Sequence, residues 1–296
     1  MSRLVVNADD FGLTAGVNRA IIELHQAGVL SSATLMARAK ASEEAIDLAL
    51  ATPSLGVGCH LVLVDGEPVL SPRQDVPHLA DPINGRFRSS LLDFLQWLYT
   101  GKRDVFSSNR IRACEIETET YAQIHLLQAR GLHLTHIDTH KHTHMFPAVL
   151  RPVLRAARRA GIHAVRNPFE PAWSLRATSS ATSLRRIEVR LLRRLEPAFH
   201  RIVAEEGFTT TDGALGVAAT GVLDATALNS LLAQLPRGTW ELVTHPGYND
   251  PDLAHAGTRL LASREAERQA LLHLHEFTNA QLVSFAALDP AAITND

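Results

Sequence analysis

The stretch Leu4–Gly28, LVVNADDFGLTAGVNRAIIELHQAG, decides the fold. Leu4–Asn7 is an apolar run of strand length. Thr14 is placed to cap a helix, and Val17, Ile21, Ile22 and Leu24 recur with helical period before Gly28. A buried strand followed at once by an amphipathic helix is the repeating element of a parallel sheet covered by helices. The alternation continues along the chain. Ser32–Ala37, Gly56–Val64, His133–Asp138, Ala164–Arg166 and Trp240–Thr244 read as strands. Ser42–Ala51, Leu91–Tyr99, Ser108–Arg130, Pro147–Ala160, Ser183–Leu195, Ala225–Leu235 and Ser263–Phe277 read as helices, with Asp224 as a cap and Pro197 able to restart a helix. Residues 65–87, rich in Pro, Gly and Asp, read as a long loop of the kind that carries function. The expected class is α/β with a mainly parallel sheet, either barrel-like or doubly wound and open. No GxGxxG follows the first strand, so a dinucleotide site lacks support. No repeat or linker divides the chain, which predicts one domain over residues 1–296.

Composition narrows the function. Twenty-nine Lys and Arg against thirty-one Asp and Glu give a net charge of −2, which argues against nucleic acid as a partner. Two cysteines, Cys59 and Cys114, provide neither a disulfide framework nor a CxxC metal knuckle, and fit a reducing compartment. No apolar run approaches the roughly 18 residues of a membrane span, and MSRLVVNADD lacks the apolar segment of a signal peptide. A cytoplasmic location is expected. Histidine is the unusual entry in this composition, at fifteen residues, several of them crowded together.

The chemistry concentrates at strand ends. Asp9 and Asp10 follow the first strand, where one carboxylate can bind a metal while the other acts as a base; an isolated Asp-Asp pair serves equally well as a helix cap. His60 lies in the apolar strand GCHLVL. His136, Asp138 and His140 of THIDTHKHTH share one face if that segment is extended, and His142 and His144 continue the stripe if the extension persists. Imidazole with carboxylate suits one divalent ion, zinc first among them, with magnesium or another divalent ion as alternatives. His245, in THPGY at a strand end, is placed for acid–base work near neutral pH. Arg166 is placed to pair with a carboxylate or to bind a substrate oxygen.

Together, NADDFG, GVGCHLVL, HIDTHKHTHMFP and THPGY resemble the YdjC-like carbohydrate deacetylases, relatives of the NodB-type polysaccharide deacetylases, over nearly the whole chain. HLVLVDGEPVL, NGRFR, HKHTH and VRNPFEP look most like the hopanoid-biosynthesis-associated branch, HpnK. The resemblance implies a distorted (β/α) barrel of the glycoside hydrolase/deacetylase type. It implies metal ligation by Asp10, His60 and His140, with Asp9 as general base and His245 as general acid. The implied reaction is hydrolytic N-deacetylation of an N-acetylated glycan or glycolipid, an N-acetylglucosaminyl hopanoid first and small oligosaccharides such as chitobiose second. Cys59 and Thr139 depart from the family pattern without removing a ligand. Another barrel metallohydrolase is the rival, but that class often carries an HxH pair on its first strand, where this chain has Asp-Asp.

A lipid substrate would require contact with a membrane surface. Ser183–Leu195 offers Leu184, Ile187, Leu191 and Leu195 on one helical face, widened by Leu192, with Arg185, Arg186, Arg190, Arg193 and Arg194 around it. Such a helix either lies on anionic lipid at the inner membrane surface or packs its apolar stripe on the barrel.

Overall fold

The computed structural model describes residues 2–81, 83–100, 105–178 and 182–288; Pro82 of the expected 65–87 loop and both ends of the expected 1–296 domain lie outside the described residues. Among the described residues, seven strands form one sheet: β1 Ser2–Phe11, β2 Ser32–Leu35, β3 Gly56–Leu61, β4 Ile137–Thr139, β5 Gly213–Leu215, β6 Gly238–Thr244 and β7 Gln281–Leu282. The order is β4-β3-β2-β1-β6-β5, with β7 beside the start of β1, and every pairing is parallel. Strand β1 is central and buried almost throughout, as its Leu4-Val5-Val6 run requires.

The sheet curls, and irregular chain spans its open side. Val165 bridges Ile137 of β4, Ala164 bridges Thr209, and the Ala214 amide of β5 donates to the Phe169 carbonyl at 3.1 Å. The α/β fold is therefore a distorted barrel, a curled parallel half-barrel with helices packed outside it. The expected strand Ala164–Arg166 is reduced to these two single bridges, because Pro168 has no amide hydrogen with which to extend a ladder. β4 begins later than expected, although Thr135 and His136 already exchange backbone hydrogen bonds with Val57 and Cys59. The expected helix Ser263–Phe277 divides at His273 into Ala262–Leu272 and Leu274–Phe277. Strands β5 and β7, three and two residues long, are too short to register as a hydrophobic period.

Parallel strands bring their C-terminal ends to one rim. Asp9 and Asp10 lie at the end of β1, His60 in the last residues of β3, Asp138 in β4, and His245 just past β6. In a regular strand two adjacent side chains point to opposite faces. Here the β1–β2 register slips between Ala8 and Phe11, and Asp10 takes a left-handed backbone, φ 64°. This bulge turns Asp10 to the same rim as Asp9.

The long loop after β3 is tied to helix Val105–Ala129 through one face of that helix. Glu115 accepts hydrogen bonds from the amides of His78 and Leu79, Glu119 from those of Val69 and Leu70, and Gln123 pairs with both backbone groups of Val62. The spacing of four residues between these acceptors is the helical repeat.

His136 belongs to the core beneath the rim. Its ring stacks on Phe285 at 3.8 Å, its Nδ1 meets the Thr135 hydroxyl and its Nε2 the Asn7 side-chain oxygen. Burial lowers its pKa to about 3, so it is neutral. Gly58 leaves room for it, since a Cβ there would lie 2.5 Å from the ring. Gly58→Ala is expected to cost about 1–3 kcal/mol of stability in urea unfolding, because the ring is held on both sides; a loss under about 0.5 kcal/mol would mean that the ring moves freely.

Candidate active site

Three potential ligand atoms converge at the rim. Asp10 Oδ1 lies 3.4 Å from His60 Nε2 and 3.4 Å from His140 Nδ1, and the two imidazole nitrogens are 3.3 Å apart. Asp10 Oδ1 is buried and has no hydrogen-bond partner. Its other oxygen accepts a hydrogen bond from Arg264 Nη2 at 2.5 Å. Burial pushes the Asp10 pKa up, but Arg264 and the two histidines overcome it and hold the carboxyl well below its ordinary value. An ionised oxygen without a donor, facing two imidazole nitrogens, is a donor set that fits a divalent cation.

Each ligand has a local cause. The bulge aims Asp10. His60 pairs in register with Asp138 across β3–β4, so its Nδ1 meets Asp138 Oδ1 at 2.8 Å and its Nε2 turns to the rim. Burial alone would lower the His60 pKa, yet Asp138 holds it at about 9; a metal would have to displace the Nε2 proton. His140 is aimed by a turn in which Lys141 and His142 both take left-handed backbone, φ 56° and 52°. That turn ends the extended stripe expected through His142 and His144. His144 instead folds inward, with Nδ1 on the Thr139 hydroxyl and Nε2 on the Arg166 carbonyl, and burial lowers its pKa to about 4.

Beside the trio lies a charge cluster with Arg166 at its centre. The guanidinium binds both oxygens of Asp9, at 2.6 and 2.8 Å, Glu241 Oε1 at 2.7 Å, and Asp138 Oδ2. Arg166 is 0% exposed, so the expected contact with substrate is not met: its role is to hold carboxylates. Burial raises the Glu241 pKa to about 7 even with Arg166 beside it. Asp9, His60 and Asp138 also approach one another closely enough to hold a metal. A divalent cation there would face the Arg166 guanidinium across oxygens already committed to it, so the Asp10, His60 and His140 group is the better fit.

His245 Nε2 stands 3.7 Å from Asp9 Oδ2, and its buried Nδ1 has no partner. Burial lowers its pKa to about 4, against the pull of Asp9 and Asp10. Its backbone amide donates to Glu267 at 2.5 Å, and burial raises that carboxyl to about 7. Arg264 and Glu267 lie one turn apart on helix Ala262–Leu272, one bracing Asp10 and the other His245. Sequence reading missed both. An Arg-x-x-Glu spacing on an amphipathic helix looks like an ordinary surface pair, and only the fold brings it to the rim.

Replacing Arg166 would strand Asp9, Asp138 and Glu241 in the interior. Arg166→Met is expected to lose about 3–5 kcal/mol in denaturant unfolding at pH 8. The loss should be smaller at pH 5.5. Stranded carboxyls have folded pKa values above their unfolded ones, so the native state takes up protons and regains stability as pH falls. A pH-independent loss would contradict this charge assignment.

Comparison with known proteins agrees with this architecture. A carbohydrate deacetylase of Brevibacillus brevis is 46% identical over 155 residues, which are 52% of this chain and 55% of that protein. A carbohydrate deacetylase of Thermoanaerobacter pseudethanolicus is 28% identical, covering 92% of this chain and 91% of its own. The chain spans little more than half the length of the Brevibacillus protein that it matches. A crystal structure from Enterococcus faecalis V583, described as a cellobiose-phosphate cleavage protein, superposes with a TM-score of 0.75 at 25% identity, over 97% of this chain and 98% of that one. The family model for YdjC-like protein matches residues 3–278, a span that contains every side chain of the rim described above, and the chain belongs to that family.

Proposed function

We propose that this chain is a divalent-metal-dependent N-deacetylase of N-acetylated amino sugars, acting as one domain over residues 1–296. The observation that carries the reading is the division of labour between two adjacent carboxylates. Asp10 presents a buried, unpartnered oxygen to two imidazoles, while Asp9 stands outside that trio and faces His245. Asp10 Oδ1, His60 Nε2 and His140 Nδ1 would hold the ion, with zinc favoured by one carboxylate and two imidazoles. When bound, the ion supplies Lewis-acid polarisation of the acetyl carbonyl and acidifies the attacking water.

The protein groups move the proton. Asp9 Oδ1 is filled by Asn7 and Arg166, but Oδ2 takes only one arginine hydrogen bond and keeps a lone pair on the His245 side. Asp9 takes the water's proton there. His245, neutral by burial, receives that proton across the 3.7 Å gap and delivers it to the departing amine nitrogen. Water and amide thus become acetic acid and an amine, which part as acetate and the protonated amine near neutral pH, and no proton need come from bulk solvent before the carbon–nitrogen bond breaks.

Chelation is expected to abolish acetate release, and added zinc to restore it. Asp10→Ala should lose metal and activity together. Asp9→Asn should keep metal, measured by titration calorimetry, and lose turnover by about 10²- to 10⁴-fold. If Asp9→Asn sheds the metal and Asp10→Asn keeps it, the two aspartates are reversed.

For the substrate's carrier we propose an N-acetylglucosaminyl hopanoid, in line with the hopanoid-associated branch, with chitobiose-type oligosaccharides as the alternative. An exposed apolar stripe favours the lipid. On helix Ser183–Leu192, Leu184 is 77%, Ile187 52% and Leu191 51% exposed, whereas Val189 is buried and Leu192 and Leu195 pack on the core. The stripe read from the sequence therefore splits, and its outer half is flanked by exposed Arg190 and Arg194. Among the described residues no helix is long and apolar enough to cross a membrane, so this stripe would act at the surface. Sedimentation with anionic vesicles at low salt, reduced by salt and by Arg190→Glu with Arg194→Glu, is the expected result. Absence of vesicle binding, with acetate released from chitobiose, would shift the assignment to soluble oligosaccharides.

A further inference from the structure

The tract His136–His144 carries four histidines, and three have evident work. His136 is bound between Thr135 and Asn7, His140 faces Asp10, and His144 is bound between Thr139 and the Arg166 carbonyl. His142 is different. Its Nδ1 is shielded from solvent and unpartnered, and neither ring nitrogen forms a hydrogen bond with the described residues. The residue as a whole is partly exposed. It also sits on left-handed backbone, φ 52°, directly after Lys141 at φ 56°. Non-glycine residues avoid that region, and two in succession need something to hold them.

The neighbours of this turn show what it achieves. Lys141 reaches back to Asp65 at 2.7 Å and to the Ser89 carbonyl, tying the turn to the loop after β3. His140 points into the carboxylate–imidazole trio. His142 comes within electrostatic reach of Arg166, Asp138 and His245, with its ring 6.3 Å from that of His144. Two consecutive left-handed residues thus turn His140 into the trio and leave the His142 ring near that of His144, outside the trio. An imidazole always offers a donor, an acceptor or two donors, and the folded chain uses none of this capacity at His142.

We propose that His142 is a substrate-contacting residue, whose ring hydrogen-bonds a polar group of the N-acetyl amino sugar at the rim through Nε2, the nitrogen that is not shielded. The inference rests on the deacetylase reading and extends it to a residue outside both the ligand set and the proton path. It also gives the strained turn a function, since ordinary packing needs neither an unpartnered nitrogen nor left-handed backbone.

Three measurements on His142→Gly and His142→Asn decide it. Glycine relaxes left-handed backbone, and asparagine tolerates it while keeping a donor and an acceptor. For His142→Gly, kcat/KM for acetate release from an N-acetylated sugar is expected to fall about 10- to 100-fold, the usual consequence of losing a hydrogen bond in a shielded site. Its Tm should hold or rise, and its zinc affinity by calorimetry should stay within about twofold. His142→Asn should recover part of kcat/KM. Unchanged kcat/KM in His142→Gly overturns the inference, as does a fall in Tm that tracks the loss of activity. Loss of zinc would assign His142 to the metal shell and overturn it too. A wild-type chain that releases no acetate from any N-acetylated sugar removes the deacetylase reading and this inference with it, whereas an active wild type with an equally active glycine variant removes this inference alone.

Discussion

A guanidinium with no exposed surface lies beneath the rim among Asp9, Asp138 and Glu241, and most of the site's geometry depends on it. Burying one charge is costly, and burying four is tolerable only when they satisfy one another. Arg166 does so from a segment that has almost no strand pairing of its own, 164–166, which fills the gap between β4 and the β5 edge. It fixes Asp9 in one orientation through both oxygens. It fixes Asp138, which in turn orients His60. The ligand side and the base side of the rim are therefore coupled through one residue that touches neither the trio nor solvent. A second guanidinium, Arg264, repeats the device at Asp10, binding one oxygen and leaving the other open.

Backbone strain is gathered at the same rim. Among the described residues, the non-glycine ones with left-handed backbone are Asp10, Asp65, Lys141 and His142, at or just beyond the ends of β1, β3 and β4. Two of them, Asp65 and Lys141, bind each other. Such conformations persist only where surrounding structure over-determines them, and here the surroundings are paired parallel strands and a loop held by Glu115 and Glu119. A rigid parallel sheet supplies the frame, and the departures from regular strand geometry aim the side chains.

The sequence made the frame legible because hydrophobic period is a local property. Leu4–Asn7 followed by a Thr14-capped helix reads as strand and helix without any knowledge of the rest. Asp10, His60 and His140 could be named together by family resemblance, and the fold brings them within one ion's reach. Arg166 was visible as a candidate cation, but its burial was not, because burial depends on which strands close around it. Arg264 and Glu267 gave no signal, since their spacing is that of any exposed helix pair. The end of the histidine stripe was equally hidden: alternation predicts one face only while the chain stays extended, and the left-handed pair at Lys141 and His142 has no glycine to announce it.

The central claim is that the two neighbouring aspartates are divided, Asp10 to a metal and Asp9 to a proton. Anomalous X-ray diffraction at the zinc edge, from crystals grown with zinc, tests it most directly. The account predicts one strong peak bounded by Asp10 Oδ1, His60 Nε2 and His140 Nδ1, with Asp9 still on Arg166 and outside the coordination sphere. A peak held instead by Asp9, His60 and Asp138, or by His142 and His144, would contradict it.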